Sequence, residues 1–79
     1  MNENQVYVYS KPACVQCNMT YRALDNAGIN YEVINILENA AALEYITEEL
    51  NYSQAPVVVV DDNNHWSGFR PDKISAIAA

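Results

Sequence analysis

An α/β fold, with helices packed on one mixed sheet, is what the order of apolar patterns predicts for this 79-residue chain. Two observations carry that prediction. Runs of strand character at residues 5–9 (QVYVY) and 31–36 (YEVINI) alternate with segments whose apolar residues follow helical spacing. Later, the β-branched run 57–60 (VVVV) is separated by the turn-rich residues 61–64 (DDNN) from a short segment 65–67 (HWS), which reads as a hairpin.

Taken in order, β-branched and aromatic residues 5–9 form a strand that ends at Ser10, Lys11, Pro12 and Ala13. Tyr7 and Tyr9 alternate to one face of it with Gln5. From Cys14 onward Val15, Met19, Ala23 and Ala27 recur every four residues with Leu24 beside them, the apolar stripe of a helix, and Gly28 stands where a C-terminal cap belongs. Residues 31–36 make the second strand. Leu43, Ile46 and Leu50 give residues 39–50 helical spacing, helped by the intrinsic propensity of Ala40, Ala41 and Ala42. Four consecutive valines suit a strand covered on both faces, so residues 57–60 are expected inside the sheet. Pro71 is pre-organised for a first helical turn, Asp72 suits its positive end, and Ile74 and Ile77 give the last helix its apolar face. The order β-α-β-α-β-β-α starts with a parallel βαβ unit and ends with an antiparallel hairpin and a helix, a thioredoxin-like arrangement of a four-stranded mixed sheet and three helices. One domain is expected over residues 1–79. At this size folding buries only about 60% of the extended chain's surface, enough for one modest core.

Charge narrows the partners. Ten acidic residues against four basic ones give a net charge of -6, and the bases Lys11, Arg22, Arg70 and Lys73 are scattered singly. A non-specific grip on a phosphate backbone needs clustered cations, so neither nucleic acid nor an anionic membrane is expected to bind. The apolar run 56–60 falls far short of the roughly 20 residues that span a bilayer, and residues 1–4 (MNEN) have neither a basic stretch nor an apolar core of a secretory leader. The expectation is a cytoplasmic monomer. Glu38, Glu44, Glu48 and Glu49 read as a solvated acidic face, and His65, beside the turn, as solvent-exposed.

The two cysteines, Cys14 and Cys17, are three residues apart, so a bond between them closes too short a loop to brace the chain. The pair is placed for chemistry. A C-x-x-C can also bind zinc or an iron–sulfur centre, but a closed zinc site needs further donors, and besides carboxylates the chain offers only His65. Opening a helix directly after a strand and loop is instead a redox context. Unpaired N–H groups at the helix start and a nearby Lys11 both favour thiolate at Cys14, the expected nucleophile. Cys17 lies one turn along the same face, where it can attack a mixed disulfide on Cys14 and act as the resolving thiol. Pro56 before the buried strand is either a simple breaker or a cis proline in a tight turn, and Ala55 can offer backbone groups to an extended substrate. Trp66 and Phe69 around Gly68 are either core or an apolar docking patch, and Arg70 and Asp72 are either a local ion pair or contacts to a partner.

Residues 8–17 (VYSKPACVQC), followed by Thr20, resemble the active-site segment of the glutaredoxins. Two features resemble more specifically the NrdH redoxins, the glutaredoxin-like electron donors to class Ib ribonucleotide reductase: Val15 and Gln16 between the cysteines, where typical dithiol glutaredoxins carry Pro-Tyr, and the segment 66–72 (WSGFRPD). The resemblance implies a protein with no bound cofactor whose Cys14 and Cys17 take reducing equivalents from NADPH through thioredoxin reductase, with little use of glutathione. Its substrate would be the disulfide of the class Ib ribonucleotide reductase's large subunit. Lys11, Pro12, Val15, Gln16 and Ala55 would support the thiols, Pro56 would be the family's cis proline, and Trp66, Ser67, Gly68, Phe69, Arg70 and Asp72 would form the partner segment. Ala55 departs from the aliphatic or threonine residue expected there in many relatives. The rival readings are a glutathione-dependent dithiol glutaredoxin and a non-catalytic thioredoxin-like adaptor with idle thiols.

Overall fold

The computed structural model describes residues 5–78, so the leader-like features sought in residues 1–4 lie outside it. The elements are β1 (Val6–Ser10), α1 (Val15–Asn26), β2 (Tyr31–Asn35), α2 (Ala40–Glu44), which runs on into a π turn (Tyr45–Glu49), β3 (Val57–Asp61), β4 (Asn64–Ser67) and α3 (Pro71–Ala78). The four strands form one sheet in the order β2-β1-β3-β4. β1 pairs in parallel with β2, Val8 opposite Val33, and antiparallel with β3, Val8 opposite Val58. β3 and β4 close the hairpin with Val58 opposite Trp66. This is the expected thioredoxin-like fold, and the all-valine strand is internal as its composition demands.

Strand alternation divides the core between the two faces. Val6, Val8, Val58 and Trp66 meet Leu24 of α1 and Ile74 of α3 on one face. Val57 and Val59 meet Ile36, Ala42 and Ile46 on the other, with Tyr9 and Tyr45 packed beside them, ring centroids 5.7 Å apart. Burial and the neighbouring tyrosines push the Tyr9 hydroxyl above the ordinary tyrosine pKa.

Helix ends follow their sequence signals. Gly28 takes a left-handed φ of 72°, its N–H bonds Asp25 O at 3.1 Å and Ile29 N–H reaches Leu24 O at 3.0 Å. That pair of bonds is a Schellman cap. Asn39 caps α2 by accepting the Ala42 N–H on Oδ1 at 3.0 Å.

Two helical registers differ from the expected stripes. In α1 the inward residues are Cys17, Thr20 and Leu24, whereas Val15 and Met19 are 73% and 43% exposed. Thr20 is buried with its polar group satisfied, because its hydroxyl donates to Gln16 O at 2.9 Å. The second helix is not one regular α-helix over 39–50, because it widens into the π turn, where Leu50 N–H reaches five residues back to Tyr45 O at 3.1 Å. Ala42 and Ile46 therefore point inward and Leu43 is 40% exposed. On this register Ile46→Ala should lower unfolding free energy by about 3 kcal/mol and Leu43→Ala by less than about 1 kcal/mol, measured by urea denaturation.

Candidate redox site

The redox loop leaves β1 at Ser10, which is buried and anchored on both sides: its backbone O accepts the Ile36 N–H at 2.9 Å, and its Oγ accepts the Tyr21 hydroxyl of α1 at 2.6 Å. Lys11, Pro12 and Ala13 follow on the surface. Ala13 adopts a left-handed φ of 56°, a conformation that costs a side-chain-bearing residue roughly 1–2 kcal/mol. No residue-type signal marks it, because alanine is not a left-handed former. The turn delivers Cys14 in an extended conformation, φ -115° and ψ 107°, as the N-cap of α1.

Cys14 takes the place of the usual capping oxygen: its Sγ accepts the Cys17 N–H at 3.2 Å. The two cysteines are joined as a disulfide with Cα atoms 5.2 Å apart. Their exposure is unequal, 9% at Cys14 and 1% at Cys17. The less buried of the two cysteines is thus also the one whose sulfur meets a first-turn N–H, at the positive end of the helix dipole.

Two further segments close around this turn. The Ala55–Pro56 peptide is cis, and Pro56 is buried. Its loop is tied to the end of β4 by Gly68 N–H to Pro56 O at 2.8 Å and by Ser67 Oγ to Gln54 O at 3.0 Å. Gln16, between the cysteines, accepts the Phe69 N–H on Oε1 at 3.1 Å, joining residues far apart in sequence. Gly68 is left-handed, φ 85°, and a Cβ there would stand 3.3 Å from the same Gln16 oxygen. Sequence reasoning singled out Gln16, Pro56 and Gly68 but not these ties, since side-chain and backbone bonds between distant loops leave no local pattern.

The outer residues sort differently. Trp66, a candidate for docking, is 3% exposed within the core and its indole Nε1 has no hydrogen-bond partner among the described residues, so its ring is core and not surface. Its place on β4 opposite Val58 turns it under α3. Phe69 is half-buried against the same core, while Arg70 and Asp72 are exposed and pair with each other through two hydrogen bonds, 3.1 and 2.9 Å. The Arg70 hydrogen bond holds the Asp72 carboxyl below its usual pKa. His65 is not free in solvent: it is half-buried, with Nδ1 2.9 Å from the Tyr52 hydroxyl, because strand pairing with β3 turns it over the loop that leads to Pro56. Glu38, Glu44, Glu48 and Glu49 are exposed, as expected. Among the described residues no group of three or more His, Cys, Asp or Glu side chains is placed to hold a metal ion, and no helix is long and apolar enough to cross a membrane.

A disulfide held across the first turn of a helix, with Cys14 the less buried of its two cysteines, can be opened by an attacking thiolate, and the dithiol so formed can in turn attack another disulfide, without unfolding anything. The chain is a thiol–disulfide oxidoreductase. The glutaredoxin family model matches residues 6–66. The glutaredoxin-like protein NrdH of Escherichia coli is 38% identical over 73 residues, covering 92% of this chain and 88% of that protein. That of Lactococcus lactis is also 38% identical, over 92% of this chain and 99% of its own. Among solved structures, the NrdH-redoxin of Escherichia coli, whose activity profile is described as thioredoxin-like, superposes with a TM-score of 0.84 at 39% identity, over 91% of this chain and 92% of that one. A glutaredoxin from Archaeoglobus fulgidus gives a TM-score of 0.78 at 27% identity, over 91% of this chain and 83% of that one. The chain belongs to the glutaredoxin family, in its NrdH-redoxin branch.

Gly68 is the position where this geometry is least forgiving. Gly68→Ala should cost roughly 1–2 kcal/mol of stability through its positive φ alone. Because the new methyl also presses on Gln16, a heteronuclear NMR spectrum should show shifts at Gln16 and Phe69 as well as at the mutated turn.

Proposed function

We propose that this protein carries reducing equivalents from NADPH, by way of thioredoxin reductase, to the disulfide of the large subunit of class Ib ribonucleotide reductase, working as a single-domain monomer in the cytoplasm with no bound cofactor. The observation that carries the reading is the Cys14–Cys17 disulfide opening α1 in a chain with near-full-length kinship to the NrdH proteins.

In the reduced protein the Cys14 thiolate attacks one sulfur of the substrate disulfide. A mixed disulfide forms and the other substrate sulfur leaves as a thiolate. Cys17, deprotonated as it attacks, then displaces the second substrate thiolate from Cys14, and the Cys14–Cys17 bond re-forms. The substrate has gained two electrons and, on protonation, two thiols, while this protein has been oxidised. Unequal exposure supports the division of roles, since an incoming disulfide meets Cys14 first and Cys17 waits behind it. The first-turn N–H groups stabilise the Cys14 thiolate that opens the first step, and Lys11, exposed three residues earlier, adds positive charge to the rim. Ala55 and Pro56 present backbone to an extended substrate, with Pro12, Val15 and Gln16 on the facing rim. Ser67, Gly68, Phe69, Arg70 and Asp72 frame the partner-facing loop, Trp66 supporting them from within the core.

A glutathione-dependent reading draws on the family match, but the electrostatics oppose it. Glutathione is net negative, the chain carries -6, and Arg70 is already engaged by Asp72, which leaves Lys11 as the rim base with no ion-pair partner among the described residues. The test is NADPH consumption with a protein disulfide such as insulin, supplied in parallel with thioredoxin reductase or with glutathione and glutathione reductase. Turnover is expected with the first and little with the second; the reverse would make the chain a glutathione-linked glutaredoxin. Cys17→Ser should trap a mixed disulfide through Cys14, visible by mass spectrometry, and Cys14→Ser should abolish turnover.

A further inference from the structure

We propose that Gln16 is a positioning residue for docking of the protein substrate: its side-chain carbonyl ties the Gly68–Phe69 turn to the first turn of α1, so that Val15, Phe69 and Arg70 present one fixed rim beside Cys14. The inference deepens the functional reading above by naming what orders the substrate-facing loop.

The loop leaves β4 at Ser67 and enters α3 at Pro71; in between, Arg70 O accepts the Lys73 and Ile74 N–H groups of α3, both at 3.1 Å, and Gly68 N–H reaches Pro56 O at 2.8 Å. Phe69 N–H points the other way, toward α1, and meets Gln16 Oε1 at 3.1 Å. The absence of a side chain at Gly68 admits that oxygen to within 3.3 Å of where a Cβ would stand, so glycine and glutamine are complementary parts of one contact. The strut also has the right length. It springs from the helix between the two cysteines, so the cysteine turn and the loop cannot drift apart without breaking it.

What it orders is exposed. Val15 is 73% exposed, Phe69 is half-buried and Arg70 lies on the surface. A protein disulfide with an apolar flank would bury Val15 and the free part of the Phe69 ring on reaching Cys14. A loop already fixed by Gln16 spares the complex the entropy of ordering it, and a small dithiol that touches the sulfurs alone gains nothing from it. Gln16 therefore acts on the binding of protein substrates and not on the sulfur exchange.

The test compares Gln16→Met, which keeps size and loses the acceptor, Gln16→Asn, which keeps the amide and loses the reach, and Gln16→Glu, which keeps both acceptor and reach. Amide hydrogen exchange at Phe69, read by NMR, reports the strut with no dependence on redox activity. The methionine and asparagine variants should exchange there at least about fivefold faster than wild type, the size of one neutral hydrogen bond, and the glutamate variant should not. With insulin as substrate and dithiothreitol as recycling reductant, KM for insulin should rise roughly threefold to tenfold in the first two variants and stay within about twofold in the third. The rate at which dithiothreitol reduces the Cys14–Cys17 bond should fall by less than kcat/KM for insulin in the methionine and asparagine variants. Unaltered Phe69 exchange in the methionine and asparagine variants overturns the proposal. So does a loss that falls equally on insulin and dithiothreitol, which would place Gln16 in the thiol chemistry itself. The recycling reductant is chemical, so a failure of the thioredoxin reductase reading leaves these readouts intact.

Discussion

The hydrogen bond from the Cys17 N–H to Cys14 Sγ, 3.2 Å long, is the contact on which the rest of the arrangement depends. An α-helix begins with N–H groups that have no partner, and most helices meet that need with a capping oxygen. Here a sulfur fills the role, so the atom proposed as the nucleophile is also the atom that completes the helix. The favourable end of the helix dipole is thereby held against the group that must carry negative charge during exchange. The surrounding loop has to supply a cap residue in extended conformation, and the left-handed Ala13 immediately before it is what turns the chain to do so.

Precision at that cap comes from the sheet. β1 is interior, hydrogen-bonded to β2 on one side and β3 on the other, and its last residue Ser10 is locked by Ile36 and Tyr21 before the redox loop begins. The adjacent interior strand β3 begins at the cis-proline loop, so the two rigid central strands deliver the two halves of the site to the same end. The hairpin partner β4 then ties back to that loop through Ser67 and Gly68. The faces divide the labour. α1 and α3 cover one face and carry every basic residue outside the redox loop except Arg70, which lies just before α3, while α2 covers the other and carries Glu44 with Glu48 and Glu49 in the π turn that follows.

Most of the architecture was legible because its signals are local. Four valines in a row, a helix opened by cysteine and closed by glycine, and a turn of aspartates and asparagines each constrain their own segment, and together they allow one chain order. The helix faces were less legible. Val15 and Met19 look like core by spacing, but Thr20 is buried in their stead because it satisfies its own hydroxyl on the preceding turn, a possibility that hydrophobic periodicity does not register. Leu43 was misplaced because the π turn adds a residue to the repeat, and nothing in Ala40–Glu44 announces it. At the site, Cys14, Cys17 and Pro56 were readable as residue types. The Ala13 turn, the Tyr52–His65 contact and the Gln16–Phe69 strut were not, since each exists only once distant segments meet.

Whether Cys14 is the reactive sulfur is tested most directly by alkylation of the freshly reduced protein with limiting iodoacetamide at neutral pH, with the modified cysteine located by peptide mass spectrometry over time. A capped thiolate at the less buried cysteine predicts that Cys14 is modified at least about tenfold faster than Cys17. Equal rates, or Cys17 reacting first, would contradict it, because the helix terminus would then be activating neither the accessible sulfur nor the one assigned to meet the substrate.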